Sequence, residues 1–109
     1  MQTLTQSALS TQNVQALVQV TSTNGYNPTS DTVSWAFTNA GAFPAQFPGD
    51  DDWNAGTWVT YPGPLYYAQI LVGPANGGIA LSQGRWQAWL RIDDFPEVPV
   101  LQPFVLQVV

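Results

Sequence analysis

The chain has 109 residues, a net charge of −5 from seven acidic and two basic side chains, and no histidine or cysteine. These counts exclude a disulfide framework and a thiolate metal site, and they remove the commonest general base. Two arginines cannot neutralise a phosphate backbone or an anionic bilayer, so we expect neither nucleic acid nor a membrane as a partner.

The dominant sequence period is two, which is typical of strands with one buried face. Glycine, proline, asparagine and aspartate fill the intervening segments, and no helical spacing of apolar residues extends over three turns. Seven strands are predicted, in chain order: TLT (3–5), VQALVQV (14–20), TVSWAFT (32–38), TWVTY (57–61), YYAQILV (66–72), RWQAWLRI (85–92) and FVLQVV (104–109).

This pattern predicts one all-β domain over residues 1–109, an antiparallel β-sandwich of about seven strands. Trp35, in the middle of the third strand, resembles the buried tryptophan of immunoglobulin domains, and Gly84-Arg85-Trp86 resembles the approach to their penultimate strand. Without cysteines the resemblance supports the broader immunoglobulin/fibronectin-III-like class. An up-and-down barrel is the main alternative.

The sequence offers little for catalysis. Hydroxyl nucleophiles are present, but no histidine or lysine is available to activate them. The carboxylates of Asp93, Asp94, Glu97 and the 50–52 segment all fall in predicted turns, and no two of them can be assigned the separation that glycoside hydrolysis requires. We therefore expect a protein that is not an enzyme and needs no cofactor.

Three consecutive carboxylates, Asp50, Asp51 and Asp52, form a weak candidate for a calcium site, because Ca²⁺ prefers several oxygen ligands. The alternative is a solvated loop. The sequence lacks the alternating ligands and terminal glutamate of an EF-hand, so the main expectation is that no metal binds.

Aromatic residues crowd the middle of the chain: Trp53, Trp58, Tyr61, Tyr66 and Tyr67. Side chains of neighbouring strand residues point to opposite faces, so one of Tyr66 and Tyr67 should reach the surface. Exposed rings on a weakly charged surface suit stacking on sugars, which makes a carbohydrate-binding module one hypothesis. The alternative is that the rings fill the core and its rim.

Residues 85–92 contain both arginines. Alternation predicts a core face of Trp86, Ala88, Leu90 and Ile92. The outer face is then Arg85, Gln87, Trp89 and Arg91. On this face the guanidinium groups could stack on Trp89, or Arg91 could pair with Asp93, Asp94 or Glu97. Tryptophan and arginine are also the residues most enriched at binding hot spots, so a protein interface is an equally weighted interpretation.

The following loop, DDFPEVP (93–99), contains two prolines that fix the backbone and would lower the entropy lost on docking. The alternative is a rigid turn that only sets the register of the last strand. The apolar last strand, FVLQVV, either forms an edge that could add to a partner's sheet or is simply the last strand of the sandwich. The predicted partner-binding residues are Arg85, Trp89, Arg91, Asp94, Phe95, Pro96, Glu97 and Pro99.

The pattern W-x-R-x-x-D-x-P-E-x-P-V, carried by residues 89–100, resembles the C-terminal signature of small structural proteins of tailed bacteriophages, especially those of actinobacteria. Trp53-Asn54-Ala55-Gly56-Thr57 is similar to a middle motif of the same proteins. The resemblance implies a virion component made in the host cytoplasm.

Within that family, a capsid decoration or head accessory protein is the leading expectation, and a head–tail connector or tail component is the alternative. The implied partners are the major capsid protein, neck or tail proteins, or further copies of the chain.

Overall fold

The computed structural model describes residues 2–18, 31–41, 47–62, 65–93 and 100–109. Among these residues no helix is long and apolar enough to cross a membrane. The strands are β1 (Gln2–Gln6), β2 (Gln12–Val18), β3 (Thr32–Asn39), β4 (Asn54–Ala55), β5 (Thr57–Tyr61), β6 (Leu65–Val72), β7 (Gly84–Asp93), β8 (Val100–Leu101) and β9 (Phe104–Val108).

All seven predicted strands are present, with ends that differ by at most about two residues from the sequence pattern. Two strands, β4 and β8, were not predicted. Each has only two residues, which is too short for an alternating pattern to appear.

The strands form two sheets that pack as a sandwich. The larger sheet has the order β1-β9-β7-β3-β4, with β8 beside β7, and the smaller sheet has the order β2-β6-β5. The chain changes sheet four times, between β1 and β2, β2 and β3, β4 and β5, and β6 and β7. The second and fourth of these changes are the crossings of an immunoglobulin-like sandwich. The predicted fold class is therefore confirmed, and the barrel alternative is wrong.

The last strand does not form an edge. β9 lies between β1, with which it pairs in parallel, and β7, with which it pairs antiparallel. Its backbone groups are therefore occupied on both sides, and the prediction that FVLQVV could extend a partner's sheet is wrong. The pairing partner, β1, comes from the far end of the sequence and carries no local signal of this contact.

The core lies between the two sheets and contains Trp35, which is fully buried. The Trp35 ring lies 5.8 Å from the Phe104 ring, and Leu90 and Leu106 are buried beside it. The predicted inner face of β7 is confirmed, because Ala88, Leu90 and Ile92 are buried and Trp86 packs against them. Core-facing residues of the smaller sheet are Val14, Ala16, Val18, Ala68, Ile70 and Val72.

Gly56 lies where the chain passes from β4 in one sheet to β5 in the other. A Cβ atom at this position would lie 2.6 Å from Trp35 Cδ1 and 2.9 Å from the Gln69 carbonyl oxygen. Only glycine therefore allows the chain to pass so close to the central indole.

Gln6, at the end of β1, connects the two sheets. Its side chain is buried, and Nε2 donates to the carbonyl oxygens of Val72 (2.8 Å) and Ser10 (3.1 Å). Val72 ends β6 in the smaller sheet, so this amide attaches the first strand of one sheet to the other sheet.

Candidate protein-binding surface

The register of β7 determines which side chains share its outer face. β7 pairs with β3 on one side and with β9 on the other. Arg91 lies opposite Ser34, Trp89 opposite Ala36, Gln87 opposite Thr38 and Arg85 opposite Gln107. The predicted division of β7 into core and outer residues therefore holds along the whole strand.

Trp89 lies on the outer face but is only 7% exposed. Its Nε1 donates to Thr38 Oγ1 at 2.9 Å, and the Phe47 ring lies against it with centroids 5.6 Å apart. Little of the indole is therefore accessible to a partner, because the chain itself covers the ring. Trp89 packs beneath Phe47 on the outer face of β7.

Arg91 does not use Trp89 as its stacking partner. Its guanidinium carbon lies 4.5 Å from the centroid of Trp53, a cation–π contact across the outer face. Trp53 follows a short 3-10 turn and is half-buried. Of the acidic partners predicted for Arg91, Asp93 is exposed at the end of β7, and Asp94 and Glu97 lie outside the described residues.

Arg85 lies at the other end of the same face and is exposed. Its backbone carbonyl accepts a hydrogen bond from the Ala40 amide at 2.9 Å, which holds the start of β7 against the end of β3. The exposed Arg85 side chain therefore projects from a strand that is hydrogen-bonded to β3 on one side and to β9 on the other.

The remaining predicted partner-binding residues, Asp94, Phe95, Pro96, Glu97 and Pro99, lie outside the described residues. The chain is described again at β8, where Val100 pairs with Arg91 and Leu101 with Leu90. Val100 is 48% exposed, and its register places it on the same outer face as Arg91.

Two residues of this surface were missed by the sequence reasoning. Phe47 is 72% exposed although its ring contacts Trp89, and Trp53 entered the sequence analysis only as a sugar platform and as part of the phage-like middle motif. Alternation does not extend through loops, so the sequence held no signal of either contact. We refer to Phe47, Trp53, Arg85, Arg91 and Val100 as the β7 surface.

The acidic segment Asp50–Asp52 forms the 3-10 turn before Trp53, and its three residues are exposed. Asp52 Oδ2 accepts a hydrogen bond from the Gly49 amide at 2.7 Å, so this carboxylate closes the turn. Within the described ranges no three potential ligands converge on a metal position. The geometry therefore gives the calcium hypothesis no support.

The outer face of the smaller sheet presents a second group of aromatic residues. Tyr61 and Tyr67 meet edge to face with centroids 5.2 Å apart. Beside them, Gln15 Nε2 donates to Gln69 Oε1 at 2.6 Å and approaches the Tyr61 hydroxyl at 3.4 Å. We refer to these four residues as the tyrosine surface.

The other aromatic residues of the middle segment point inward. Tyr66 pairs with Val18 and Thr60 on the core side of the smaller sheet, opposite to Tyr67 as predicted. Trp58 packs against the core, and its Nε1 donates to the Asp31 carbonyl oxygen at 2.9 Å. Both rings therefore lie on the side of the smaller sheet that faces the core.

The chain was compared with models of protein families, with curated proteins and with solved structures, and none of the three comparisons returns a match.

Proposed function

We propose that this chain is a non-enzymatic structural protein of a tailed-phage virion, a capsid decoration or head accessory protein that acts through protein–protein contacts. The observation that carries the proposal is the β7 surface. This surface overlaps the phage-like sequence signature. Arg91 and Val100 belong to both, and Trp89 of the signature packs beneath the surface. The chain's two basic residues also lie on this face.

The β7 surface has the composition of an interface. Aromatic and arginine side chains are enriched where proteins bind each other, and here Phe47 and Arg91 are held in place by Trp89 and Trp53. A side chain that is already ordered loses little entropy on binding. Arg85 and Arg91 lie at opposite ends of this one face, so we expect the partner to present an acidic group near each of them.

A neck or tail protein with an acidic patch would fit the same surface. The competing proposal is therefore that this chain is a head–tail connector or a tail component. The two are separated by fractionating purified virions into capsids and tails. A decoration protein is expected with capsids in many copies. Recovery in the tail fraction alone would favour the alternative.

The functional experiment compares the double variant Phe47→Ser/Arg91→Gln with the control Leu65→Ser. Leu65 is 41% exposed and lies on the smaller sheet, away from the β7 surface. We expect the double variant to remain folded by circular dichroism and to be depleted at least about tenfold from purified particles, equivalent to about 1.4 kcal/mol of binding. The control should be incorporated normally. Normal incorporation of the folded double variant would refute the proposal.

A second candidate function is carbohydrate binding at the tyrosine surface. The specific observation is the edge-to-face tyrosine pair beside two side-chain amides, because rings stack on sugars and amides bond to hydroxyl groups. A glycan array with the isolated protein tests it. Selective binding that is lost in Tyr61→Ala, and kept in the β7 double variant, would establish this function in place of the first.

A further inference from the structure

β2 forms one edge of the smaller sheet. It pairs with β6 along its length, and among the described residues no strand pairs with its other side. Immunoglobulin-like sheets commonly place the first strand there. Here β1 pairs instead with β9 in the other sheet.

The edge lacks the features that usually prevent pairing with another chain. Its sequence, QNVQALV, contains no charge and no proline. Proteins that remain monomeric commonly protect an edge strand with lysine, proline or a bulge, because alternate backbone N–H and C=O groups face outward and attract a further strand.

A cleft between the two sheets runs beside this edge. One part, of about 350 Å³, lies between β1 and the first half of β2 and has Val14 and Leu106 in its lining. The other part, of about 870 Å³, lies between the second half of β2 and residues 101–104. This part reaches Leu90 and Phe104, which are core residues, and no lining residue of either part is charged.

We propose that the β2 edge and this cleft together bind one extended segment of a partner protein as an added strand. The segment's backbone pairs with β2, and every second side chain enters the cleft between the sheets. β2 has seven residues, so a segment of about seven residues can pair along it. This inference stands independently of the proposed function, because it rests on the edge and the cleft alone.

The lining determines the chemistry of the segment. Inserted side chains meet an uncharged lining that includes Leu4, Ala16 and Leu101, so they must be apolar, since an unpaired charge buried there would be costly. The intervening side chains point toward solvent beside Gln15 and Leu17 and can be polar. The partner segment therefore alternates between apolar and polar residues.

A second copy of the chain fits this site less well than a separate segment. If two copies paired through β2, the inner side chains of each β2 would remain in their own cores, and the clefts would stay unfilled. Each copy also carries a net charge of −5, which opposes self-association.

The probe is a displayed library of nine-residue peptides, selected on the wild-type protein after depletion on the variant Leu17→Lys. Leu17 is 43% exposed on the edge strand and borders the cleft, so a lysine there should protect the edge with a charge, as in monomeric proteins, without unfolding the protein. The matched control is Leu65→Lys, a leucine of nearly equal exposure on the same face of the same sheet but outside the cleft.

We expect enriched peptides to alternate apolar and polar residues and to bind Leu65→Lys as tightly as wild type. Binding to Leu17→Lys should be weaker by at least about tenfold. Bound peptide should also slow hydrogen exchange of backbone amides within Gln12–Val18. The proposal is overturned if no peptide is enriched, if the enriched peptides show no alternation, or if the β2 amides gain no protection. Slow exchange of the same amides in a dimer without peptide would show that a second copy is the occupant.

Particle incorporation depends on the β7 surface, whereas peptide selection depends on the β2 edge, so the two proposals fail separately. Loss of incorporation in the β7 double variant with unchanged peptide binding would leave both intact. Normal incorporation of that variant together with alternating peptides would refute only the proposed function.

Discussion

The two outer faces of the sandwich use aromatic residues in opposite ways. On the larger sheet, Trp89 is covered by Phe47, and Arg91 lies over Trp53. On the smaller sheet, Tyr61 and Tyr67 come from two paired strands and contact each other edge to face, and no charged side chain lies among the outer residues of the three strands. The contacts described on the first face join a strand to a loop, and those on the second face join strand to strand.

This difference shows that strand alternation determines the face of a residue but not its exposure. Trp89 and Tyr67 both point outward, yet Trp89 is buried and Tyr67 is partly exposed. Exposure depends on whether another part of the chain folds over the face. Removing a side chain that the chain covers should therefore cost more stability than removing one from a more open position.

The largest expected effect is that of Trp89→Ala. The change removes a buried indole, its contact with Phe47 and its hydrogen bond to Thr38. We expect the free energy of unfolding to fall by about 3–5 kcal/mol, as for other large-to-small changes at buried sites. Urea denaturation measures it. A loss below about 1 kcal/mol would show that Trp89 is open to solvent after all.

Gly56→Ala tests the point where the chain passes between the sheets. The new methyl group would overlap the Trp35 ring and the Gln69 backbone, so we expect a loss of about 1–3 kcal/mol. The matched control is Gly49→Ala, where the nearest atom to a Cβ is a movable Asp52 oxygen at 3.4 Å. Thermal unfolding of both variants measures the difference, and equal melting temperatures would contradict the described packing.

Tyr67→Ala removes an outward-facing aromatic ring from the smaller sheet, as Trp89→Ala does from the larger sheet. Because Tyr67 is partly exposed, we expect the free energy of unfolding to fall by about 1 kcal/mol, mainly through the lost contact with Tyr61. The same urea titration gives the value. If Tyr67→Ala cost as much as Trp89→Ala, the proposed contrast between the two faces would fail.

The smallest effect is expected for Arg91→Gln. The cation–π contact with Trp53 lies at a half-exposed position, so its loss should cost about 0.5–1 kcal/mol. Arg91→Lys, which keeps the charge, should retain part of this contribution. Denaturation curves of both variants provide the measurement, and an identical loss in the two would point to the geometry of the guanidinium group and not to its charge.

Alternation in the sequence was sufficient to predict the two-sheet class, the inner face of β7 and the burial of Trp35. These features depend on side chains of one strand and on the rule that apolar faces pack together. The burial of Trp89 was not predictable in the same way, because Phe47 lies 42 residues earlier and follows no period. The Arg91–Trp53 contact was missed for the same reason.

The position of β9 was also beyond local reasoning. An apolar, uncharged strand at the end of a sequence has the same composition whether it forms an edge or lies inside a sheet. Only the parallel pairing with β1 decides between these positions, and that pairing joins residues that are about a hundred positions apart. Within the described residues, the terminal strands of the two sheets are β1, β4, β2 and β5.

The β1–β9 pairing has a consequence for how the protein is made. Gln2 pairs with Phe104 and Gln6 with Val108, so the larger sheet cannot be completed until nearly the whole described chain has left the ribosome. Contacts of such large sequence separation slow folding, because the intervening chain must be ordered first. We expect β2, β6 and β5 to pair early during synthesis and the β1–β9 contact to form last.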